Sequence, residues 1–78
     1  MKVSERFSYR STVFLGEDGE ICKEIEQYFD DDEEAKAWAY EEADKHPSAV
    51  GVEIKLVDWF MHCDTDVLFE WFDEWYEN

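Results

Sequence analysis

Two cysteines, two histidines and a dense set of carboxylates are the groups in this sequence that could do chemistry. Cys63 directly follows His62. A cysteine nucleophile needs a base within reach and a lowered thiol pKa. Neighbours on an extended chain point to opposite faces, and acidic surroundings raise a thiol pKa. Cys22 and Cys63 are therefore expected to be reduced thiols, small and buried or half-buried. Zinc would require Cys22, His46, His62 and Cys63 to converge, and no C-x-x-C or H-x-x-x-H spacing supports that. Asp30, Asp32 and Glu34 alternate as calcium ligands do, but Ala35, Lys36 and Ala37 follow, without the glycine and distal glutamate of an EF-hand loop. There is no Gly-rich phosphate loop and no Ser/His/Asp arrangement. The residues thus predict no catalytic group, no metal site and no cofactor, and the chain is not expected to be an enzyme.

The carboxylates remain. The chain of 78 residues has 22 Asp and Glu against 7 Lys and Arg, a formal charge of −15. Six Phe, four Trp and four Tyr accompany them. A chain so rich in aromatics is expected to fold, because disordered acidic segments lack them. Its length allows one domain, spanning residues 1–78. Direct nucleic-acid binding needs a basic footprint, and the sign here is reversed. An anionic membrane surface would repel the chain for the same reason, and no apolar run is long enough to span a bilayer. The first residues carry no apolar stretch of signal-peptide length, so a cytoplasmic location is expected.

Periodicity supplies the elements that would position the acids. Residues 3–15 alternate, with Val3, Phe7, Tyr9, Val13 and Leu15 on one face, which predicts a strand. Asp18-Gly19 predicts a tight turn. Residues 20–29 fit a strand through Ile21, Ile25 and Phe29, and fit a helix through Ile21, Cys22, Ile25, Tyr28 and Phe29. The preceding turn favours the strand. Residues 30–34 read as a helix start, with Asp31 or Asp32 accepting free backbone N–H groups. Ala35, Trp38, Ala39, Ala43 and His46 continue at helical spacing until Pro47. Residues 49–59 alternate again, and Trp38 is expected to pack against residues 50–56. Asp64 or Thr65 would cap a last helix, whose stripe is Leu68, Trp71, Phe72 and Trp75. The expected fold is a small two-layer α+β domain, a three-stranded antiparallel sheet with two helices in the order β-β-α-β-α.

On these elements the acids form two sets. The first-helix set is Asp31, Asp32, Glu33, Glu34, Glu41 and Glu42; the last-helix set is Asp66, Glu70, Asp73, Glu74 and Glu77. Between residues 56 and 78 there is no Lys or Arg. Acids in the last turn of a helix oppose its dipole, so fold stability does not explain Asp73, Glu74 and Glu77 there. A globule about 30 Å across would cover a length of duplex DNA carrying roughly 18 charges, close to 15. A small, very acidic, aromatic-rich α+β chain without a catalytic motif resembles the phage-encoded DNA-mimic inhibitors of the anti-CRISPR and anti-restriction type. The resemblance is one of character over the whole chain, and no functional residue is carried over from it. It implies an inhibitor that blocks the basic DNA-binding groove of a bacterial defence complex, either a CRISPR surveillance complex or a restriction enzyme. The expected partner is a basic nucleic-acid-binding protein of the host, with no direct nucleic acid and no membrane, and the chain a monomer or weak homodimer. The alternative is a small acidic module that docks on a host factor without imitating nucleic acid.

Overall fold

The computed structural model describes residues 6–17 and 19–72. It contains β1 (Phe7–Glu17), β2 (Glu20–Phe29), α1 (Asp32–Lys45), β3 (Ala49–Asp58) and β4 (Cys63–Trp71). The strands form one antiparallel sheet in the order β2-β1-β3-β4. The class is α+β, but the sheet has four strands and the described residues hold one helix. The expected three-stranded sheet with two helices is thereby corrected.

Residues 20–29 are the second strand of a hairpin. Glu17 pairs with Glu20, and Gly19 between them adopts φ +82°, a left-handed conformation that glycine takes at little cost. The helix begins after Asp31, whose carbonyl accepts the first helical bond from the Ala35 amide. It ends at Lys45, two residues before Pro47.

The segment expected to be the last helix is β4. The strand carries apolar residues on both of its faces and also a bulge, so a strict alternation is hidden. Ile54 pairs with Leu68 and Lys55 with Asp66, so Val67 is an extra residue on β4. It changes the alternation from period two to a step of three. Thr65, Leu68 and Glu70 then share one face, while Asp64, Asp66, Phe69 and Trp71 share the other. Leu68 and Trp71, which a helix would align in one stripe, therefore lie on opposite faces: Trp71 joins Phe14 and Phe69, while Phe72 packs against the core. The turn before β4 is also hard to see, because residues 59–62 contain no Gly, Pro or Asn.

Helix α1 covers one face of the sheet. Ala35 and Ala39 are fully buried, and their small side chains let the helix lie close to the strands. Val13, Leu15, Ala39 and Val52 form the core cluster, with Ile25, Trp38, Ala43, Ala49 and Phe72 packed around it. Trp38 is half-buried at the margin of this cluster, and the partner its ring meets is Phe29 on β2, at 5.7 Å between centroids. Ser11, fully buried beneath the helix, donates a 2.9 Å hydrogen bond to the Ala35 carbonyl. Among the described residues no helix covers the opposite face of the sheet, its open face.

Candidate functional site

The first acid set lies on α1. Asp31 is the N-cap, and the Asp32 carboxylate accepts the Glu33 amide at 3.0 Å. Glu33, Glu34 and Glu41 are exposed on the side of the helix turned from the sheet. Glu42 is different. It pairs with Lys45 Nζ at 3.3 Å, which partly offsets its charge, and His46 Nε2 lies 3.5 Å away.

Of the second set, the described residues Asp66 and Glu70 do not come together. Asp66 and Glu70 would share a face of a helix, but on β4 they lie on opposite faces of the sheet. Asp66 joins a band of alternating charge on the open face. Arg10 meets Asp64 at 3.2 Å, and Lys55 meets Asp64 at 3.7 Å and Asp66 at 3.4 Å. The absence of basic residues from 56–78 was therefore misleading, because β1 and β3 bring Arg10 and Lys55 across. Glu53, two positions before Lys55 on β3, titrates above its ordinary range, chiefly because burial disfavours its charged form. Glu70 accepts a hydrogen bond from the Tyr40 hydroxyl on the helix side. This bond, with burial and the Glu70 charge, pushes the Tyr40 pKa up to about 12. Asp73, Glu74 and Glu77 lie outside the described residues.

The two cysteines are both exposed, not buried, and neither is in a disulfide. Cys22 Sγ lies 3.5 Å from the Leu15 carbonyl oxygen. His62 and Cys63 line a shallow cleft with Val57, Asp58, Trp59 and Asp64. Among the described residues no three His, Cys, Asp or Glu side chains are placed to hold a metal ion.

No protein-family model, curated protein or solved structure matches this chain. The geometry of its surface is what bears on function.

At one end of the open face, Phe14, Phe69 and Trp71 form an aromatic cluster with ring centroids 4.9–6.2 Å apart. At the other end, the Trp59 indole donates to Ser8 Oγ at 3.0 Å and packs 5.4 Å from the Tyr28 ring. Beyond Trp59 the β3–β4 turn projects Phe60 and Met61, which are 75% and 60% exposed. Asp58 organises this turn. Its carboxylate receives Arg6 Nε at 3.0 Å and Arg6 Nη2 at 2.9 Å, and accepts the amides of Phe60 and Met61. The Arg6 guanidinium, first, and the two amides hold the Asp58 carboxyl below its ordinary range. Reading the sequence for acids missed this turn; the uninterrupted Trp59-Phe60-Met61 run after an aspartate was its one signal. No helix among the described residues is long and apolar enough to cross a membrane.

Proposed function

We propose that this protein is an acidic inhibitor that mimics nucleic acid and occupies the basic DNA-binding groove of a bacterial defence complex, a CRISPR surveillance complex or a restriction enzyme. The observation that carries the reading is charge per length. The molecule measures 40 × 22 × 17 Å and is longer than the expected 30 Å globule. Duplex DNA 40 Å long carries roughly 24 phosphate charges. A formal charge of −15 on a body of that length is of the same order. The exposed outer side of α1, with Glu33, Glu34 and Glu41, supplies a row of carboxylates that the fold does not use for internal pairing. Such a surface would be steered to a basic groove, and its affinity would fall with salt.

The alternative reading, an acidic module that docks on a host factor without mimicry, draws support from the exposed apolar turn at residues 59–61. Competition separates the two. A guide-RNA-loaded CRISPR surveillance complex is titrated with labelled duplex target DNA and this protein. Mimicry requires mutually exclusive binding and a steep loss of affinity as salt rises. Reversal of Glu33, Glu34 and Glu41 to Lys should weaken inhibition more than tenfold and flatten the salt dependence. A ternary complex containing both DNA and this protein would overturn mimicry in favour of the second reading.

A further inference from the structure

Isolated apolar side chains on a surface need no explanation, but a contiguous exposed group does. Trp59, Phe60 and Met61 are consecutive and exposed, at the tip of the β3–β4 hairpin. Nothing in a phosphate mimic calls for them, since a row of Lys and Arg gains little from an aromatic ring or a thioether.

The turn is also held in one conformation. Asp58 takes the amides of Phe60 and Met61 at 3.0 and 3.1 Å, while Arg6 grips the same carboxylate from β1's approach. The Arg6 guanidinium lies 5.2 Å from the centre of the Phe60 ring and 5.1 Å from that of Phe7. The Trp59 amide donates to the Arg6 carbonyl at 2.9 Å, and its indole to Ser8. His62 closes the turn with φ +55°, an uncommon left-handed conformation for a residue with a side chain. Aromatic, Met and Arg residues are the types enriched at interface centres, and a turn already ordered loses less entropy on binding.

Strand direction adds a second relationship. β1 and β4 begin, and β2 and β3 end, at the edge of the sheet where α1 also begins. The apolar tip and the acidic helix start therefore share one end of the molecule. A formal charge of −15 selects a basic partner and disfavours a second copy of this chain or an anionic membrane.

We infer that Phe60 and Met61 are an apolar anchor, which enters a hydrophobic pocket bordering the basic groove of the partner while the acids lie along the groove itself. The inference rests on the mimic reading and adds the source of selectivity that charge alone lacks. DNA-like charge would suit many basic grooves; the anchor admits those with an adjoining pocket.

The test uses the full chain and three purified probes: a guide-RNA-loaded single-subunit CRISPR nuclease, a guide-RNA-loaded multisubunit surveillance complex, and a type I restriction enzyme. Displacement of labelled duplex DNA is measured at several salt concentrations. The parent should displace DNA from at least one probe. A Phe60→Ala, Met61→Ala variant with the parent's melting temperature should inhibit more than tenfold more weakly, with the salt slope unchanged. If the variant inhibits as the parent does, the anchor is wrong and mimicry stands. If its slope flattens in step with the affinity, the tip acts through charge placement and the anchor is also wrong. If the parent displaces DNA from none of the three, mimicry fails and the anchor falls with it. Sedimentation of the parent, but not the variant, with phosphatidylcholine–phosphatidylglycerol vesicles would make the tip a membrane contact and overturn the inference.

Discussion

The Trp71 ring lies across Gly51. The two residues pair directly between β4 and β3, and a Cβ built on Gly51 would stand 2.6 Å from Trp71 Cε3 and 2.8 Å from the Glu70 carbonyl oxygen. Phe14 pairs with Gly51 from the other side, and its ring meets that of Trp71 at 5.5 Å over the vacant position. The glycine is thus the floor of the aromatic cluster. Gly51→Ala is expected to push β4 from β3 and cost about 1–3 kcal/mol, the usual range for overpacking. Thermal unfolding should show a lowered midpoint; an unchanged midpoint would mean that the ring does not rest on Gly51.

Ser11 ties the helix to the sheet through its hydrogen bond to the Ala35 carbonyl. Ser11→Ala removes a buried donor and should lower stability by about 1 kcal/mol. Denaturant unfolding should record this as a lower midpoint with an unchanged slope. Equal stability of the two proteins would remove that bond from the account of helix docking.

The Asp58 turn should respond to acid. A carboxyl whose folded pKa is lowered contributes stability above its unfolded value, and this is lost as pH falls through the folded value. The window therefore lies below the ordinary 3.8. The amide resonances of Phe60 and Met61 should titrate together with a midpoint below 3.8, and Arg6→Ala should move that midpoint upward. A midpoint insensitive to Arg6 would separate the turn from the ion pair.

Cys22 and Cys63 sit on β2 and β4, the two outer strands of the sheet. Three strand spacings, about 14 Å, separate such positions, well beyond the roughly 7 Å limit between bridged Cα atoms. Air oxidation should yield disulfide-linked dimers and no faster-migrating monomer on a non-reducing gel. An internal bridge would contradict the strand order. In the reduced state, a Cys22→Ser, Cys63→Ser variant should behave as the parent does in the DNA-displacement assay.

Local patterns decided much of this protein before any folding. Alternation through Val13 and Leu15, Gly19 between two strands, the acids opening α1 and Pro47 beyond its end are signals within a few residues, and they mark β1, the β1–β2 hairpin and α1, although β1 runs on to Glu17, past the end of the alternation. The low count of basic residues likewise determined the charge, which needs no structure. What only the tertiary structure decided depends on contacts across the sheet. Pairing with β3 puts Leu68 on one face and Trp71 on the other, two residues that helical spacing would align in one stripe. The same pairing divides Asp66 from Glu70 and gives Asp66 to Lys55. Arg6 reaches Asp58 over 52 positions of sequence, and the order of the apolar turn follows from that contact. Spacing along a chain reports which side chains can share a face of an isolated element. It does not report which strand lies alongside, and here the neighbouring strands determine both the partners of the acids and the shape of the exposed tip.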